Sequence, residues 1–136
     1  MLKRIKNIKG DGYVEVCISA LVLITLAVIL LNIFELIMLR ISLGQTADDL
    51  ITTACYSGGF TDEFWACDTR HCDEYLYYDI DYGADEFFDA TAETVQLGDG
   101  MWVEVSAGMD VKGAGAFKIP ITVSVKRFGI SERYSK

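Results

Sequence analysis

A chain of 136 residues, 51% of them hydrophobic, is long enough for one domain with an appendage. Residues 16 to 34 carry no charge at all, and about 19 residues of helix span roughly 28 Å, the thickness of a bilayer's hydrocarbon core, which excludes a simple soluble cytoplasmic domain. The net charge is -8, with 7 basic against 17 acidic residues after position 40, so binding of nucleic acid by counterion release is excluded as well.

Residues 1 to 12 form a basic leader containing Lys3, Arg4, Lys6 and Lys9. Positive charge ahead of a span holds that end in the cytoplasm. Residues 13 to 39 are then a transmembrane helix, and residues 40 to 136 an extracytoplasmic head. A cleaved secretory signal has a shorter apolar stretch and a small-residue cleavage site. Here the stretch runs on through Glu35-Leu36-Ile37-Met38-Leu39-Arg40 with no A-x-A pattern, so the span is expected to be retained.

Glu15 stands at the inner end of the span, and Glu35 marks the outer interface, with Asn32 just below it. A carboxylate near hydrocarbon costs several kcal/mol unless it is paired or interfacial. The positive end of the helix offsets only about 0.3 to 1 kcal/mol of this.

The order basic leader, Gly10, Glu15 five residues later, then an unbroken apolar helix resembles the leader of type IV prepilins. The likeness is greatest to the TadE-like minor pilins and pseudopilins of tight-adherence systems. That resemblance implies cleavage after Gly10 by a prepilin peptidase, with Asp11 as the first mature residue. It also implies that Glu15 pairs with the new N-terminal amine of a neighbouring subunit. Gly12 is a second candidate cleavage position.

Beyond the span the helix is expected to continue from Arg40 to Ser57. Leu43, Ala47, Leu50, Ile51 and Ala54 share one face, while Gln45, Asp48, Asp49 and Thr52 occupy the other. Ser57-Gly58-Gly59 ends it. Residues 61 to 76 read as a second helix, with Thr61 or Asp62 as the cap and Phe64, Cys67, His71 and Tyr75 on one face. From Tyr75 to Tyr82 weak alternation suggests a strand, and residues 84 to 93 fit strand and helix equally.

Alternation then predicts strands over Met101 to Ala107 and Ile119 to Val125, joined by a connection around Gly113-Ala114-Gly115. Pro120 points to an edge or first-residue position for the later strand. Leu97-Gly98-Asp99-Gly100-Met101 has tight-turn chemistry. Val95-Gln96-Leu97-Gly98-Asp99 and the ending Gly129-Ile130-Ser131-Glu132-Arg133-Tyr134-Ser135-Lys136 resemble motifs of a Gram-positive TadE-like branch, with Ser135 where that branch has Trp.

Cys17 lies in the span as a small apolar residue; Cys55, Cys67 and Cys72 lie outside, an odd number that leaves at least one free or paired between chains. Cys55 to Cys67 is one candidate disulfide, whereas a five-residue helical spacing points Cys67 and Cys72 to different faces. Cys67, His71 and Cys72 match no standard metal spacing. The acids between 62 and 93 read as a solvated face, and Tyr75, Tyr77, Tyr78 and Tyr82 as partly core.

The expected fold class is α+β: a long N-terminal transmembrane and amphipathic helix packed on a small antiparallel sheet of three or four strands, a pilin-like layout. The resemblance implies a structural pilus subunit, not an enzyme, with no cofactor and no metal. Its expected partners are the membrane, a prepilin peptidase, other pilin subunits and the assembly platform. A monomeric membrane-anchored ectodomain that binds an envelope or extracellular ligand is the alternative.

Overall fold

The hydropathy pattern of the chain resolves into five elements. In a computed structural model that describes residues 8–74, 78–113 and 117–134, these are helices α1 (Ile8–Ser57) and α2 (Asp62–Glu74), and strands β1 (Asp79–Ala84), β2 (Gly100–Gly113) and β3 (Phe117–Ile130). The strands form one antiparallel sheet in the order β1-β2-β3. The result is the α+β arrangement expected, with three strands.

At about 1.5 Å per residue, the 50 residues of α1 make a rod of roughly 75 Å. The chain's one proline is at position 120, so nothing breaks the rod. Among the described residues it is already helical at Ile8, five residues before the predicted Tyr13. Gly10 and Gly12 cost about 1 kcal/mol each relative to alanine, which an established helix absorbs. Its far end closes by the expected glycine chemistry. The amides of Gly58 and Gly59 both donate to the Ala54 carbonyl, at 2.9 and 3.0 Å, and Gly58 adopts a left-handed φ of 79°.

The predicted stripe on α1 is the helical side of the core. Leu43, Ala47, Leu50, Ile51 and Ala54 are buried, and Gln45, Asp48, Asp49 and Thr52 are exposed. The stripe packs against Met101, Val103, Val105, Ala107 and Val125 of the sheet, with Phe60, Phe64 and Val95 closing one end. Each side has a single apolar face, and each buries that of the other.

Strand boundaries shift from those predicted. β1 begins at Asp79, and residues 75–77 lie outside the described residues, as does the 114–116 connection. Both long strands outrun their predicted ends because pairing continues from Gly100↔Ile130 to Gly113↔Phe117. Pro120 is the fourth residue of β3, not its first, and is tolerated because β3 is an edge strand. Residues 84 to 93 leave β1 at Ala84 and are otherwise irregular, with turns, bends and an isolated bridge between Asp89 and Thr94. Asp89 Oδ1 accepts hydrogen bonds from the amides of Thr91 and Ala92 there.

α2 starts one residue after Thr61, whose carbonyl accepts the Trp65 amide at 3.2 Å. The Thr61 hydroxyl does not cap the helix: Oγ1 is buried with no hydrogen-bond partner among the described residues. Phe64 and Cys67 face the core, His71 is half-buried, and Tyr75 lies outside the described residues.

Candidate functional site

Two regions combine chemistry with accessibility: the bare half of α1 and the junction where the helix end meets the C-terminus. Below residue 42, α1 carries large apolar side chains that stay exposed among the described residues, including Val16, Leu21, Leu23, Ile24, Leu31 and Phe34. The stretch is long and apolar enough to cross a membrane. Cys17 and Glu15 are exposed on it, and the Glu15 carboxylate makes no ion pair with another described residue. Gly10 and Asp11 sit in its first turns.

The junction gathers the two short motifs that the sequence holds some thirty residues apart. Ser131 is buried; its hydroxyl donates to the Val95 carbonyl at 3.2 Å, and its amide donates to the Asp99 carbonyl at 3.0 Å. Its own carbonyl accepts the Gly98 amide at 3.0 Å. Next to it, the Glu132 amide donates to the Cys55 carbonyl, and the Arg133 guanidinium to the Ser57 carbonyl at 3.2 Å. Helix end, turn and C-terminal segment are thereby locked together, and the carbonyls of Cys55 and Ser57 in the last helical turn find partners outside the helix. These contacts make the motifs a structural clamp.

No disulfide joins Cys55, Cys67 and Cys72 in this structure. Cys67 is buried in the core, Cys72 is exposed five residues on, and Cys55 lies at the helix–sheet contact, so the divergence expected for the helical pair holds. Burial pushes the Cys55 thiol up; Glu132 adds to this and a hydrogen bond to the Ile130 backbone opposes it. It is a packed thiol, not a poised nucleophile.

Most of the acidic residues are solvated, as expected. Asp62, Glu63, Asp79, Asp81, Asp85, Glu86 and Asp89 are exposed. Two others accept tyrosine hydroxyls: Asp68 from Tyr78 at 3.0 Å and Glu93 from Tyr82 at 3.1 Å. Burial, together with these carboxylates, raises the pKa of both tyrosines. Among the described residues no group of three or more His, Cys, Asp or Glu side chains could hold a metal ion. Asp49 instead engages His71 at 3.2 Å, tying α2 to α1.

One contact has no counterpart in the sequence reading. Asn32 Nδ2 donates to the Lys112 carbonyl at 2.9 Å, and Asn32 Oδ1 accepts the Lys112 amide at 3.3 Å. Asn32 sits within the uncharged stretch, so the β2–β3 hairpin reaches down to the apolar part of α1. An asparagine alone in an apolar run is the only trace of this in the sequence.

No protein-family model, no curated protein and no solved structure matches the chain. The fold and its geometry therefore stand on their own.

Proposed function

We propose that the chain is a minor pilin or pseudopilin of a Tad-like type IV filament or a related secretion machine. In this reading it enters the membrane with its N-terminus inside and its head outside. A prepilin peptidase cleaves it after Gly10, and it assembles through α1 with other subunits on a membrane platform. It is a structural part and carries no catalysis of its own.

One observation carries the reading. The core of the head packs on the C-terminal half of α1, leaving roughly 30 Å of exposed apolar helix from Gly12 to Leu31 with a single carboxylate, Glu15, near its inner end. Cleavage after Gly10 creates an amine one helical turn before Glu15. In a bundle of such rods, an amine from one subunit and Glu15 from another neutralise each other where either charge alone costs several kcal/mol. Assembly is then conditional on processing.

N-terminal sequencing of the protein from membranes that contain a prepilin peptidase tests this. A mature chain beginning at Asp11, abolished by Gly10→Ala, is the expected result. An intact Met1 that Gly10→Ala leaves unchanged overturns it. If Glu15→Ala also leaves co-purifying proteins unchanged, the monomeric ectodomain reading replaces it.

A further inference from the structure

We propose that the membrane-proximal end of the β2–β3 ribbon, at Lys112, Phe117 and Lys118, is a second membrane contact, seated shallowly in the outer headgroup layer beside the span. This rests on the reading of α1 as a membrane helix.

The hairpin is longer than its core requires. Burial ends at Ala107 on β2 and Val125 on β3, yet pairing continues for six further residues of β2, to Gly113↔Phe117. At about 3.4 Å per residue, that is roughly 20 Å of ribbon running on along α1. The extension is two-faced. Met109, Val111, Phe117, Ile119 and Ile121 share the side turned to the helix, and Asp110, Lys112, Lys118 and Pro120 share the other. One helix is too narrow to cover that apolar side: Phe117 is 74% and Ile119 58% exposed. An apolar groove of about 380 Å³ stays open between Val28, Ile29 and Ile33 of α1 and Val111, Phe117 and Ile121 of the hairpin.

The Asn32–Lys112 pair fixes the height of this end. From Gly12 to Asn32 the helix rises about 30 Å, one hydrocarbon thickness. The outer boundary of the bilayer therefore falls at Lys112. There Lys112 and Lys118 stand at the level of lipid phosphates, Lys118 also 3.9 Å from Asp110, and Phe117 reaches one step further toward the acyl chains. β3 is an edge strand, and its unpaired backbone groups forbid deep immersion, so the contact stays interfacial.

Photocrosslinking of the full chain in vesicles of phosphatidylcholine and phosphatidylglycerol tests the assignment. p-Benzoylphenylalanine replaces Ile24 in the span, Phe117 at the ribbon's end, or Phe128, which is as exposed as Phe117 (74%) but eleven residues up β3. Phospholipid adducts at 24 and 117 with none at 128 are expected. No adduct at 24 means that the membrane reading itself fails. Adducts at 24 with none at 117, crosslinks from 117 to a second copy of the chain, or equal adducts at 117 and 128 overturn the hairpin contact while the span stands.

Discussion

The backbone of Gly129 lies directly against the sulfur of Cys55. A Cβ at position 129 would overlap both that sulfur and the Ile51 side chain. Glycine lets β3 approach α1 this closely, just where the strand hands over to the C-terminal clamp.

Gly129→Ala should therefore destabilise the detergent-solubilised chain by about 1–3 kcal/mol through overpacking. Adding Cys55→Ala should recover part of the loss, because it removes the atom nearest the new methyl. Urea titrations of the two variants check this. A Gly129→Ala protein as stable as the parent would show that the helix and strand have room to part.

Thr61→Val should leave the fold as stable as the parent or more so. The buried Thr61 hydroxyl has no partner among the described residues, and valine keeps its shape without a group to desolvate, a difference of up to about 1–3 kcal/mol. A thermal melt compares the two. A clear loss of stability would mean that the hydroxyl is satisfied in solution.

Asn32→Leu should loosen the hairpin locally at Lys112. Two hydrogen bonds to the Lys112 backbone disappear while the core at Leu50 and Val103 is untouched. Amide exchange at Lys112 is expected to rise about tenfold, equivalent to about 1.4 kcal/mol, with the global melt nearly unchanged. Unaltered exchange at Lys112 would show that the link contributes nothing.

Alkaline pH should weaken the fold from about the ordinary tyrosine range upward. Tyr78 and Tyr82 have folded-state pKa values above their usual 10.0, and Cys55 above its usual 9.0. The unfolded chain therefore loses these protons first. The stability they lend is complete below the unfolded values and is lost as pH climbs toward the folded ones. A urea series across this alkaline range should show falling midpoints, with a shallower fall in Tyr78→Phe. Constant midpoints would refute the burial of these hydroxyls.

Some of this architecture is legible in the residues alone. The stripe Leu43, Ala47, Leu50, Ile51 and Ala54 repeats with the helical period and is buried throughout. Val103 and Val105 alternate with Trp102 and Glu104, and the first pair is buried. Ile119 shows the limit of such patterns. Alternation assigns it correctly to the face of Val123 and Val125, but it lies beyond the end of the core and stays exposed. The clamp was half legible: its two motifs stood out as short strings, while the hydrogen bonds between Ser131 and the Val95–Asp99 turn left no periodic trace.

The uncharged rod, its amphipathic continuation, the glycine stop after Ser57 and the alternating strands follow from the order of residues, because each depends on neighbours a few positions apart along one element. That the hairpin descends to Asn32, that Gly129 meets Cys55 and that Ser131 closes the junction emerges from the packed fold alone. Those choices depend on which surfaces fit once the helix and sheet have met, and packing between distant segments is not written in the spacing of either.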